Sequence, residues 1–144
     1  MMAKSTQAEA AVTRQKIIDA AYHITIDKGF EHVTLGVLAK AVGITRSGIN
    51  CHFKKKEDLV NVLEPIFSKM LTAPLDFSST DAFYDSWKTA LRCDHEFKAA
   101  VKACGPIIPP RKGIDGLINK LHGPRQEVED SVLKCIGYAT YTLS

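Results

Sequence analysis

Arg46, Ser47 and Asn50 lie within five residues of one another, and their side chains are suited to reading a polynucleotide. Arginine offers a two-pronged donor that matches the guanine edge, and asparagine pairs in the same way with adenine. Thr45, directly before them, is a residue type that starts helices. Ile49, four residues later, is the apolar anchor that turns this helix inward and leaves Arg46, Ser47, Gly48 and Asn50 facing out. A short helix with such side chains at its N-terminal end fits the major groove of double-stranded DNA.

Such a helix needs a partner to hold it, and the preceding residues predict one. Leu35, Leu38, Ala39 and Val42 follow the spacing of an inward apolar stripe, and Thr34 stands where a hydroxyl caps the first turn. Gly43 stops this helix, because glycine takes the left-handed backbone without steric cost, and a tight turn then delivers Thr45. Ala39 is small enough for the two helices to cross closely. Upstream, Arg14 to Gly29 predicts a further helix with Ile17, Ala20, Ala21 and Ile24 on one face. Phe30, Val33, Phe53 and Leu59 complete a small core. A plain helical hairpin would share the apolar stripe alone; the alanine, glycine and isoleucine spacings followed by Lys54-Lys55-Lys56 agree on a helix-turn-helix.

Arg14, Ile17, Ala20-Ala21, Gly29, Thr34, Leu38-Ala39, Gly43-Ile44-Thr45, His52-Phe53, Lys56-Glu57 and Leu59 together resemble the N-terminal domain of TetR-type transcriptional regulators, over about residues 13 to 60. The resemblance implies a DNA-binding protein that is not an enzyme, working as a homodimer with the helix from Thr45 to Cys51 in the groove. It implies phosphate contacts from Thr34, His52 and Lys56, with a possible backbone contact from Arg14. Asn50 departs from the pattern, since the family usually carries tyrosine there; an amide at this place can pair with adenine or bond a phosphate.

Charge supports the same placement. Residues 1–60 carry nine Lys or Arg against six Asp or Glu, whereas the rest of the chain has ten of each. The 144 residues are 45% hydrophobic and 24% charged, and they contain no apolar run of membrane-spanning or signal-peptide kind. We therefore expect a cytoplasmic, all-α protein: residues 1–12 as a flexible arm, 13–60 as the three-helix DNA-binding domain, and 61–144 as a short helical regulatory and dimerisation domain.

In that second domain a helix from Glu57 to Leu71 should kink or break near Val62 to Glu64, ahead of Pro65, or Pro65 should start a new one. Ser78 to Asp81 offers caps for a helix bearing Phe83, Trp87, Ala90 and Leu91. Phe83, Trp87, Leu91 and Phe97 are the expected wall of a small-molecule effector pocket, although aromatic stripes more often form core. Cys104 to Gly113, with three prolines, reads as a loop before a two-turn helix from Ile114 to Leu121. The last helix, Pro124 to Leu143, carries Val128, Val132, Ile136 and Ala139 on a face that serves either a dimer interface or the subunit's own core.

Cys51, Cys93, Cys104 and Cys135 lack paired metal-ligand spacing, and no phosphate-cradling glycine loop or nucleophile elbow occurs. No cofactor or structural metal is expected. The function predicted is a ligand-responsive repressor on an inverted-repeat operator. The alternatives are a redox- or metal-responsive regulator, using Cys51 or the set Cys93, His95 and Cys104, and a heterodimerising module that blocks a longer relative.

Overall fold

The computed structural model describes residues 6–144, which form eight α-helices and one 3₁₀ turn, with no strand among the described residues. The chain divides into two compact units, with the division between Leu63 and Glu64.

In the first unit α1 spans Gln7–Lys28, so it begins inside the stretch expected to be a flexible arm. The reason is a capping box. Thr6 Oγ1 accepts from the Glu9 amide at 3.0 Å while the Glu9 carboxylate accepts from the Thr6 amide, which satisfies two N–H groups that a helix end leaves free. The first five residues of that arm lie outside the described residues. The inward face of α1 is also rotated from the expected one: Ile17, Ile18, Ala21 and Thr25 are buried, and Ala20 and Ile24 only half so. Thr25 is buried because its hydroxyl donates to the Ala21 carbonyl at 2.7 Å, which removes the penalty of an unpaired polar group.

After Gly29 and the 3₁₀ turn Phe30–His32 come α2 (Leu35–Val42) and α3 (Arg46–His52). Thr34 Oγ1 accepts from the Val37 amide at 3.2 Å, and Thr45 Oγ1 from the Gly48 amide at 3.0 Å. Gly43 closes α2 at φ +82°, ψ +32°, the left-handed geometry that a Cβ disfavours. Leu38, Ile49, Phe53, Leu59, Phe30 and Val33 close the core as expected. Leu35 does not join them; at the first position of α2 it is 42% exposed.

Helix α4 (Lys56–Thr72) runs unbroken through Pro65. The missing proline N–H frees only the Asn61 carbonyl, and both residues are exposed, so that acceptor is left on the solvent side of the helix. In the second unit α5 (Thr80–Cys93) is capped by Ser79 and α6 (His95–Ala103) by Asp94, which also ends α5. The expected loop is shorter than predicted, because α7 spans Pro110–Lys120. Pro110 occupies the first helical position, where its fixed φ suits the helix and its lack of N–H costs nothing. Helix α8 covers Arg125–Leu143. The second core is built around Phe83, Trp87, Phe97, Val128, Val132 and Cys135, with Trp87 edge-on to Phe97 at 5.2 Å between ring centres. No described helix is long and apolar enough to cross a membrane.

Candidate nucleic-acid interface

The caps on α2 and α3 decide which side chains are available. With Ile49 fully buried and Thr45 spent on the Gly48 amide, Arg46, Ser47 and Asn50 are exposed on the outer face of α3 and Gly48 is half-buried. The expected reading array is thus assembled in one place. Arg46 is not extended away from the protein, however. Its guanidinium lies against Gly36 of α2, so close that a Cβ built on that glycine would fall 2.9 Å from Nη2.

The residues expected to hold phosphates meet three different fates. Thr34 is exposed at the start of α2, with its hydroxyl already accepting from Val37. His52 is half-buried at the end of α3, where its carbonyl accepts from Arg14 Nη1 at 3.4 Å. Arg14 also lies over the Phe53 ring, 4.5 Å from its centre, so this guanidinium braces the C-terminal end of α3, where a positive charge is favourable. Lys56 turns its ammonium toward the first unit's own core, 3.4 Å from the Phe30 carbonyl and 4.9 Å from the centre of the Phe30 ring.

Helix N-termini expose amides at the positive end of the dipole, which favours an anion at the start of α4 beside Lys56. Asp58 occupies that role from within the chain. Its Oδ2 accepts from the amides of Lys54 and Lys55 at 3.1 and 3.2 Å, so an incoming phosphate would compete with a carboxylate there. By contrast, α2 has no acidic residue in its first turn.

The second unit contains a partly open cavity of about 780 Å³. Of the four aromatic and aliphatic residues expected on its wall, only Trp87 is there. Phe83, Leu91 and Phe97 are 0%, 5% and 0% exposed and fill the core instead, where the two phenylalanines pack tilted and edge-on against Trp87 and bury more apolar area than lining a void would. The wall is made by Leu71, Val101, Ile108, Ile114, Leu117 and Ile136. Sequence reasoning missed all of them except Ile136, which it had assigned to the α8 interface face. The wall residues come from five helices, α4 to α8, and the α6–α7 connection, so no single local spacing links them. Lys102, Lys112 and Lys120 also border the cavity, with Lys112 paired to Glu64 at 2.6 Å. The Trp87 indole N–H is buried without an acceptor.

The expected interface stripe of α8 is mostly consumed internally. Val128, Val132 and Ala139 are at most 3% exposed because α5 packs against α8, and Ile136 faces the cavity. The surface that α8 leaves free carries Leu133, Gly137, Tyr138 and Tyr141.

All four cysteines are free thiols. Burial pushes the Cys135 thiol up to about 12 and raises that of Cys104, whose Sγ also donates to the Val101 carbonyl. Neither offers the thiolate on which redox sensing depends. Cys93, His95 and Cys104 do not gather, and no group of three His, Cys, Asp or Glu able to hold a metal occurs among the described residues.

Comparison with known proteins bears on the first unit. Residues 17–63 match the family model described as bacterial regulatory proteins, tetR family. The chain is 33% identical over 90 residues to the HTH-type transcriptional regulator SrpR of Pseudomonas putida, covering 62% of this chain and 41% of that one. It is 47% identical over 58 residues to the HTH-type transcriptional regulator AcrR of Shigella flexneri, covering 40% and 27%. It is 37% identical over 82 residues to a protein of Escherichia coli K12 named "Probable acrEF/envCD operon repressor", covering 52% and 37%. The matched stretch is less than half the length of each of these relatives. Residues 17–63, with their capped helix-turn-helix, are thus similar to the DNA-binding part of the TetR family of bacterial regulatory proteins.

Proposed function

We propose that this protein is a ligand-responsive transcriptional repressor that binds an inverted-repeat operator as a homodimer, with α3 in the major groove. The observation that carries the reading is the exposed array of Arg46, Ser47 and Asn50 on a helix held by Thr45 and Ile49. Repression draws support from the Escherichia coli relative, whose name is that of an operon repressor.

The cavity of the second unit is the proposed effector site. Its volume lies in the range of small-molecule pockets, and its walls are mainly apolar. Lys102 and Lys120 at its border make no ion pair among the described residues, which favours an apolar molecule with an anionic end. Helix α4 supplies Glu64, Ser68 and Leu71 to the wall. An effector releases DNA only by binding the non-DNA conformation more tightly.

A second copy is the proposed partner of the free face of α8. Leu133, Gly137 and Tyr141 recur every fourth residue there, with Leu133 54% and Tyr141 87% exposed. Gly137 has open space around it, so Gly137→Arg fits the isolated subunit and obstructs only a partner.

Titration of the purified protein against labelled promoter fragments at moderate salt tests the central reading. Specific retention of a fragment with a two-fold repeat supports it, and absence of any preferred fragment for a folded dimer overturns it. Sedimentation of Gly137→Arg tests the interface, with loss of dimer expected. Trp87 is the sole tryptophan of the chain, so its fluorescence reports cavity occupation by a probe such as dodecanoate.

A further inference from the structure

Helix α2 carries a glycine, Gly36, in its first turn, where the backbone does not require one. Only Gly29, Gly43 and Gly123 take positive φ among the described residues, so Gly36 is ordinary helix that any residue can adopt. The space around it is occupied by one side chain. The three atoms nearest to a Cβ built there are Nη2, Cζ and Nε of Arg46, at 2.9, 3.4 and 3.5 Å. A real side chain and this guanidinium position exclude each other. No acceptor on the protein holds Arg46 among the described residues, and its exposed guanidinium lies against Gly36.

We propose that Gly36 is a specificity-determining position: the missing side chain seats the Arg46 guanidinium across the first turn of α2, and this seat selects the base pair that Arg46 reads. Arg46 and Gly36 form one reading unit shared by two helices, while Ser47 and Asn50 read from α3 alone. A methyl group at position 36 lifts the guanidinium off α2 and moves its donors by more than the tolerance of a bidentate hydrogen bond. Gly36 acts through Arg46, so it is a positioning residue. The proposal rests on the reading that the first unit binds DNA sequence-specifically.

The test uses the full chain and Gly36→Ala, Arg46→Ala and the double variant. Alanine favours helix more than glycine does, so Gly36→Ala should melt at the same temperature or higher, which removes misfolding as an explanation. Each protein is equilibrated with a pool of randomised half-sites and the bound fraction sequenced. Gly36→Ala should alter preference by about tenfold at one base pair per half-site, the scale of one bidentate contact. In the Arg46→Ala background the same change at 36 should have less than a twofold effect. In the DNA-free protein, the Arg46 Nε–H resonance should move and sharpen in Gly36→Ala as the side chain is released.

An unchanged preference and an unmoved resonance in Gly36→Ala overturn the proposal. An equal change of preference in the Arg46→Ala background also overturns it, because position 36 then acts through α2 itself. Failure of the unsubstituted protein to select any sequence is a separate outcome that removes the DNA-binding reading and the proposal with it.

Discussion

The two units arrange their side chains in opposite ways. The first holds short polar side chains on helices of eight and seven residues, each pinned by a threonine cap, and presents them outward. The second gathers apolar side chains from distant parts of the chain around a cavity and turns its chemistry inward. Rigidity in the first comes from local hydrogen bonds, and in the second from ring packing. A surface that reads a fixed polymer must be preorganised, whereas a cavity that senses a small molecule must be able to change; the two kinds of support suit the tasks proposed for the two units.

The largest expected effects ask whether the units are separate. Phe97→Ala should cost about 3–5 kcal/mol and Ile49→Ala about 2–5 kcal/mol, because both side chains are fully buried. Ile49→Ala should abolish DNA retention while leaving Trp87 fluorescence native, and Phe97→Ala should disturb that fluorescence first. If both variants unfold in one coincident transition by helical and tryptophan signals, the comparison of two units is broken.

Next in size are the effects that divide reading from positioning inside the first unit. Arg46→Ala should lose about 1–3 kcal/mol of discrimination at one base pair. Lys56→Ala should weaken all sequences alike and flatten the log–log salt dependence by about one contact, a slope change near 0.9. Competition binding at several salt concentrations separates them. Equal behaviour of the two variants would contradict the division, and an unaltered salt slope in Lys56→Ala would mean its ammonium stays on Phe30.

Smaller still is the capping contribution, which sharpens the claim that the head is held locally. Thr45→Ala should destabilise the first unit by about 1 kcal/mol in chemical denaturation, and Thr45→Ser should restore most of it. A null effect would shift the credit to the burial of Ile49.

A last expected effect, absent at neutral pH and confined to the alkaline range, concerns Cys135 in the second core. Its folded thiol titrates at about 12, well above an ordinary thiol near 9, so the folded state favours the neutral form. The corresponding stability is fully present below pH 9 and is lost as pH rises toward 12, because only the unfolded chain ionises in that window. Denaturation midpoints should fall over this range less steeply in Cys135→Ala than in the unsubstituted protein. Identical slopes would mean that the sulfur is solvated.

Legibility followed the same division. Thr34, Gly43, Thr45 and Ile49 could be placed from the sequence because each acts within four residues of itself through a cap, a left-handed turn or a helical period. The capping box at Thr6 and Glu9 is of the same local kind, yet the alanine-rich stretch around it read as an arm. Phe83, Leu91 and Phe97 were placed on the cavity wall because an aromatic stripe looks the same facing a core or a void. Asp58 closing the start of α4 was also out of reach, since an acidic residue in a first turn is as compatible with solvent as with backbone amides.

By itself, then, the sequence determined the helix-turn-helix, its outward residues and the all-α class, because caps, turns and periodicity are short-range properties of a chain. Tertiary structure alone decided that Arg46 rests on Gly36, that Arg14 and Lys56 lean on Phe53 and Phe30, and which side chains enclose the cavity. Those contacts join residues at least ten positions apart, and their partners are chosen by competition for buried space, which no local pattern encodes.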